Sequence, residues 1–258
     1  MGTAPAIEEV ADGLWSLDAP PVAIWRHPIP ARGVLVRLDD GMLWLHAPVP
    51  ADDALLDAVG ALGELRHIVV PHPLFLPALA GWQARFPAAT VALPRGLSAQ
   101  VPGAQPLGDA AAPGWPGLAQ LVVPGRRGLD EAAFFHGASS SLILHRMMMN
   151  IDTAPIPAWA RPGVWLAGID TTDGKMPPGL AAHLGGKARI IDAVEHLIGW
   201  RPWRILPTHG EVYPRDAVDE LERAFRRLLR TRRWEAALRD AETRHRGGPG
   251  GGPGGGGG

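Results

Sequence analysis

The chain has 258 residues, 46% of them hydrophobic, and a formal net charge of -1. That is enough apolar material for one full core, and the near-neutral balance argues against bulk electrostatic binding to nucleic acid or an anionic membrane. There is no cysteine, which excludes disulfides, thiolate metal sites and cysteine nucleophiles and leaves histidine and carboxylates as the only metal ligands.

The first residues, Met1-Gly2-Thr3-Ala4-Pro5-Ala6-Ile7-Glu8-Glu9, lack the basic and apolar regions of a signal peptide. No apolar run approaches the roughly 18 residues of a spanning helix. The expectation is a cytoplasmic protein with no membrane partner. Residues 14–17 read as a strand after an Asp12-Gly13 turn, and residues 20–30 as an irregular, proline-broken stretch. Residues 33–38 and 42–46 form a hairpin across Asp39-Asp40-Gly41. Asp52 or Asp53 caps a helix over about 54–62.

Residues 67–70 are a β-branched apolar run stopped by Pro71 and read as a buried strand. A loop bearing His72 follows, then a helix over 79–86. A short strand ends at Pro94, and residues 96–116 read as irregular. A strand over 118–123 precedes a second hairpin, 132–136 with 141–145. Residues 151–178 read as a lid or a wrap over the core. Apolar positions recur with helical spacing between 180 and 199. A last strand, 203–206, stops at Pro207-Thr208-His209-Gly210-Glu211. A long helix begins at Pro214-Arg215-Asp216, runs to about Thr231, and continues toward His245. The expected division is one domain over 1–246 and a disordered Gly/Pro tail over 247–258. Strands mixed with helices in two hairpin-rich halves predict an α/β sandwich.

The order of certain pieces resembles the metallo-β-lactamase superfamily. They are Val36-Arg37-Leu38-Asp39-Asp40-Gly41-Met42-Leu43-Trp44-Leu45-His46, Ile68-Val69-Val70-Pro71, Phe134-Phe135-His136 with Leu142-Ile143-Leu144, and Ile205-Leu206-Pro207-Thr208-His209-Gly210-Glu211. The resemblance covers about residues 7–229 and lies nearest a domain-of-unknown-function branch. It implies a four-layer αβ/βα sandwich whose members hold one or two zinc or iron ions and use metal-bound hydroxide for hydrolysis. It also implies an H-x-H-x-D-H ligand run. Here those four places fall at His72, Leu74, Leu76 and Pro77, and only the first can bind a metal. The adjacent histidines of the related branch would fall at Phe75 and Leu76. Arg126 stands where a further ligand histidine is expected, Arg146 where the bridging aspartate is, and the last histidine is retained as His209.

Two functions follow from this pattern. The first is a degenerate member without a competent dinuclear site and without a cofactor. Its old cleft would bind a small molecule or a partner, with an anion held by Arg146, Arg126 and His209. The second is a working metallohydrolase with a mononuclear zinc or iron site rebuilt from His72, His145, His209 and a carboxylate such as Asp170 or Asp173. The plainer readings are loop histidines without a ligand role, arginines in solvent or paired with acids such as Asp170 or Glu211, and His46 and His136 ending strands and facing solvent or a turn. Met147-Met148-Met149 would line an apolar pocket or fill the core. Trp159 and Trp165 are the tryptophans placed to cover a ligand. Arginines 223, 226, 227, 230, 232 and 233 read as a solvated helix face, not a nucleic-acid surface.

Overall fold

A computed structural model describes residues 7–24, 27–108, 115–154, 156–171 and 174–246. The expected disordered tail, Asp173 and Trp25 lie outside these described residues. The first half carries strands β1 (Ile7–Ala11), β2 (Leu14–Ile24), β3 (His27–Arg37) and β4 (Leu43–His46) and helix α1 (Asp53–Leu62). It continues with β5 (Leu65–Val69), α2 (Leu76–Arg85), β6 (Thr90–Leu93) and β7 (Gln105–Pro106). The second half carries β8 (Leu118–Val123), β9 (Glu131–His136), β10 (Ser141–Leu144), α3 (Arg161–Ala167), α4 (Leu180–His183), α5 (Lys187–Gly199), β11 (Arg204–Pro207) and α6 (Ala217–Arg246).

Strands β1 to β7 form one seven-stranded sheet in sequence order, antiparallel through β4 and parallel from β4 to β7. The second sheet has the order β11-β10-β9-β8, with β10 and β11 parallel. Strand alternation assigns each residue a layer. Val34, Val36, Trp44, Phe134, Ile143 and Leu206 pack between the sheets. Leu35, Leu43, Leu45 and Ile68 face the other way, against Leu55, Leu56 and Val59 of α1 and Leu79 and Trp82 of α2. On the far side Leu142, Leu144 and Ile205 pack on Ile190, Val194 and Leu197 of α5 and Leu221 and Phe225 of α6. The result is the four-layer αβ/βα sandwich.

Local chemistry accounts for the boundaries. Asp52 caps α1 by accepting from the Leu55 amide at 2.9 Å, as its sequence predicts. Gly41, with φ of 83°, closes the β3–β4 turn where a side chain would strain the backbone. The helix expected over 180–199 is interrupted by Gly185 and Gly186, with φ of 87° and 111°, so it divides into α4 and α5. The stretch read as irregular over 20–30 is instead part of a long β2–β3 ribbon with a register shift between Ala19 and Val22. The region read as irregular over 96–116 contributes the two-residue strand β7. Among the described residues, no helix is long and apolar enough to cross a membrane.

Candidate functional site

Three strand ends from both sheets deliver histidines to one rim of the sandwich. His72 follows β5, His145 follows β10, and His209 follows β11. The β10 and β11 ends are tied together, since the amide and hydroxyl of Thr208 both donate to the Leu144 carbonyl, at 2.8 and 3.0 Å. Arg32 of β3 donates to the Gly210 carbonyl at 2.7 Å and fixes the loop after β11. Gly210 itself has φ of 107°, and a Cβ there would run into the Asn150 carbonyl. Gly210→Ala should therefore cost at least the 1–3 kcal/mol typical of backbone strain, about 2 kcal/mol or more in a urea melt.

The His145 ring lies 5.4 Å from that of His72 and 5.3 Å from that of His209, centroid to centroid. Phe75 closes the group from below, its ring 5.8 Å from His145 and 6.1 Å from His209. His145 and His209 are buried, and both ring nitrogens of His145 lack a hydrogen-bond partner. The hydrogen bonds of the outer two set their tautomers. His209 Nδ1 sits 2.9 Å from the Pro30 carbonyl; it must donate, leaving a lone pair on Nε2. His72 Nδ1 accepts from the Leu74 amide at 3.3 Å, so its proton resides on Nε2.

Burial, first of all, keeps these imidazoles neutral. The His209 pKa falls to about 4 from burial; the Pro30 contact opposes that shift and Arg146 adds to it. His72 falls to about 4 through burial, then the charge of Arg146 and the neighbouring His209 and His183. His145 is held well below its ordinary value by burial, then by the nearby His209, Arg146, His72 and His46.

Arg146 supplies the charge. Its Nε donates to Glu131 Oε2 at 2.9 Å, and its backbone amide donates to Glu131 Oε1. Its Nη2 is buried without a partner. Arg146 and the three histidines line a cavity of about 600 Å³ whose remaining wall is mostly apolar: Ile29, Leu74, Met149, Ile151, Val164 and Ile169 among others. His183 is also in the lining, and it is anchored to the Leu129 carbonyl at 2.8 Å.

The expected residues therefore separate. Arg146, His72, His145 and His209 share one cavity. Arg126 is exposed and is not part of the cavity lining, because its turn, Arg126–Gly128, leaves the sheet edge. Asp170 is held beside Ile151 by an isolated bridge, outside the cavity lining, and its carbonyl accepts from Gly174. Glu211 is exposed, and the acid that meets Arg146 is Glu131. His46 and His136, expected to end strands and face solvent or a turn, do end β4 and β9; both are buried, His136 against Ser139 of the turn and His46 in the space between the sheets. Burial lowers the His46 pKa to about 3, with His209 adding to the shift. Trp159 and Trp165 are 73% and 54% exposed and do not cover the cavity; α3 turns Val164 inward instead. The methionine run divides, with Met147 and Met148 in the core under α5 and α6 and Met149 against the cavity. Nothing in the sequence marks Glu131, Ile29 or His183 as site residues; the pairing of distant strands places the first two, and the packing of α4 places His183.

Among the described residues, no group of three or more His, Asp or Glu side chains is placed to hold a metal ion. The cavity is lined by imidazoles and a guanidinium with no carboxylate. Three imidazoles are a donor set that zinc accepts, but His72, whose Nδ1 accepts from Leu74, carries its proton on Nε2 and offers a lone pair there only as the other tautomer.

Neither a family model nor a curated protein matches the sequence. Solved structures do. A putative diflavin flavoprotein A 5 fragment from Nostoc sp. PCC 7120 superposes with a TM-score of 0.62 at 12% identity, covering 92% of this chain and 100% of that one. The DIM-1 metallo-β-lactamase gives 0.59 at 14% identity, covering 89% and 98%. The mono-zinc FIM-1 metallo-β-lactamase from Pseudomonas aeruginosa gives 0.55 at 12% identity, covering 88% and 97%.

Proposed function

We propose, from the premise that the chain carries the metallo-β-lactamase fold, that its metal site is degenerate and that the former active-site cleft binds a small anionic molecule. One observation carries this reading: Arg146 stands where the resemblance puts a metal-bridging aspartate, and its side chain, anchored on Glu131, lines the cavity. A guanidinium held in the wall of an apolar cavity is an anion receptor. His72 Nε2–H adds a donor on the same wall. His209, locked by Pro30, shapes the pocket beside them.

The fixed charge and the excluded water make each contact stronger than it would be at the surface. Nothing in this chemistry requires a reaction; the residues bind and orient. The experiment is a thermal-shift screen of carboxylated and phosphorylated small molecules on the wild type and Arg146→Ala. The expected result is stabilisation by an anion that disappears in Arg146→Ala. Stabilisation that persists unchanged in the variant rules out this role for Arg146, and no response to any anion rules out the reading.

The closeness of His72, His145 and His209, with both His145 nitrogens unpartnered, favours one rival: a mononuclear metallohydrolase. Rearrangement of His72 to offer a lone pair is its requirement, and metal content is its test.

A further inference from the structure

We infer that the ligand of this cavity is an apolar monocarboxylate, a carboxylic acid with an aliphatic or aromatic body; the inference rests on the anion-binding reading above. Charge counting sets the head group. Among the described residues Arg146 is the one arginine, lysine, aspartate or glutamate in the cavity lining, and Glu131, which is buried, already accepts its Nε–H. His145 and His209 beside it are neutral because they are buried. A dianionic phosphate would bury a second negative charge with no cation to meet it, which is costly in a water-poor site. A carboxylate carries one charge and two oxygens. It can accept from the Arg146 guanidinium, part of whose side chain is exposed in the cavity wall, and from His72 Nε2–H.

The rest of the cavity sets the body. Ile29, Met149, Ile151, Val164 and Ile169 offer no hydrogen bonds from their side chains and make a continuous apolar wall opposite Arg146. A volume of about 600 Å³ lies within the range of small-molecule sites. A hydroxylated acid or a sugar acid would lose hydration along this wall without recovering it. An alkyl or aryl chain gains by burial there.

Calorimetric titration of the full-length protein with propionate, hexanoate, octanoate, phenylacetate, inorganic phosphate and 1-octanol tests this. Affinity should rise roughly fourfold for each added methylene until the wall is filled, as burial of a CH₂ predicts. Octanoate should bind at least about tenfold more tightly than 1-octanol or phosphate. Two variants separate head from body. The double variant Arg146→Gln/Glu131→Gln removes both charges together, so that no buried carboxylate is left alone, and should make octanoate no better than octanol. Val164→Trp fills the apolar wall and should abolish the gain with chain length. Phosphate binding tighter than octanoate, or octanoate binding unaltered in the double variant, would overturn the monocarboxylate assignment. In the phosphate case the anion-binding reading still stands. Silence from every anion would overturn both.

Discussion

Phe75→Ala should lower the free energy of unfolding by about 3–5 kcal/mol, the usual cost of truncating a buried aromatic ring. Phe75 is 2% exposed and belongs to the core under α1 and α2 while also touching the rings of His145 and His209. The position is where the resemblance would put a metal-binding histidine, so a hydrocarbon ring now fills that space. The sequence alone points equally to Leu76, with a cost of about 2–5 kcal/mol for Leu76→Ala. The structure corrects this. Phe75, Leu79 and Trp82 follow the i, i+4, i+7 spacing of one buried stripe, and Leu76 sits one position round the helix, only partly buried. Leu76→Ala should therefore cost less than half as much as Phe75→Ala. Urea melts of the two variants, compared at constant m-value, decide it. Equal losses would mean that Phe75 does not plug the site.

A steep loss of stability in mild acid is the second large effect. A histidine in the unfolded chain titrates near 6.5. In the folded protein burial holds His46 to about 3 and His209 to about 4, and His145 lies well below its ordinary value. Above about pH 7 both states are neutral at these positions and they contribute no pH dependence. Between about 6.5 and 4 the unfolded chain binds protons that the folded chain refuses, so stability falls as the pH falls. Each such histidine contributes up to about 1.4 kcal/mol per pH unit. His72 is likewise held to about 4, and His46, His72 and His209 together remove roughly 5 kcal/mol between pH 6.5 and 5, comparable with the total stability of many domains.

The charge of Arg146 on the β10 end acts in the same direction on His72, His145 and His209. Glu131 offsets part of Arg146 through their ion pair. Unfolding curves at pH 7.5, 6 and 5 should show the decline, and His46→Gln should flatten it by about a quarter, one of four such groups. A flat profile in the wild type would mean that these imidazoles become charged without unfolding the protein.

The legible parts of the chain were those specified locally. The β3–β4 and β9–β10 hairpins carry alternating apolar residues around glycine-containing turns. Asp52 announces α1. The inward stripe of α5 has helical spacing. What stayed hidden was specified at long range or against local preference. Pro20, Pro21, Pro28 and Pro30 read as breakers, yet they lie in the β2–β3 ribbon; a register shift lets part of that ribbon run without regular pairing. Pro162 lies in the stretch read as a lid or a wrap, and it occupies the first turn of α3, where its missing N–H costs nothing.

In the site, His72 and His209 were visible because each directly follows a proline-stopped strand. His145 was visible only as a substitute, and Arg146 as an unexpected cation. Glu131 was not visible at all, since an acid at the start of a strand looks like a turn residue until β9 is laid beside β10. That pairing puts its carboxylate on Arg146 and so leaves one guanidinium edge for a ligand.

Metal content bears most directly on whether this cleft works without an ion. Elemental analysis of the full-length protein, purified with no added metal, should find well under one zinc or iron per chain. Leu74, Leu76 and Pro77 offer no lone pairs, and His72 turns an N–H toward its neighbours. Near-stoichiometric zinc or iron, lost in His209→Ala, would contradict the degenerate reading and establish the rebuilt mononuclear centre in its place.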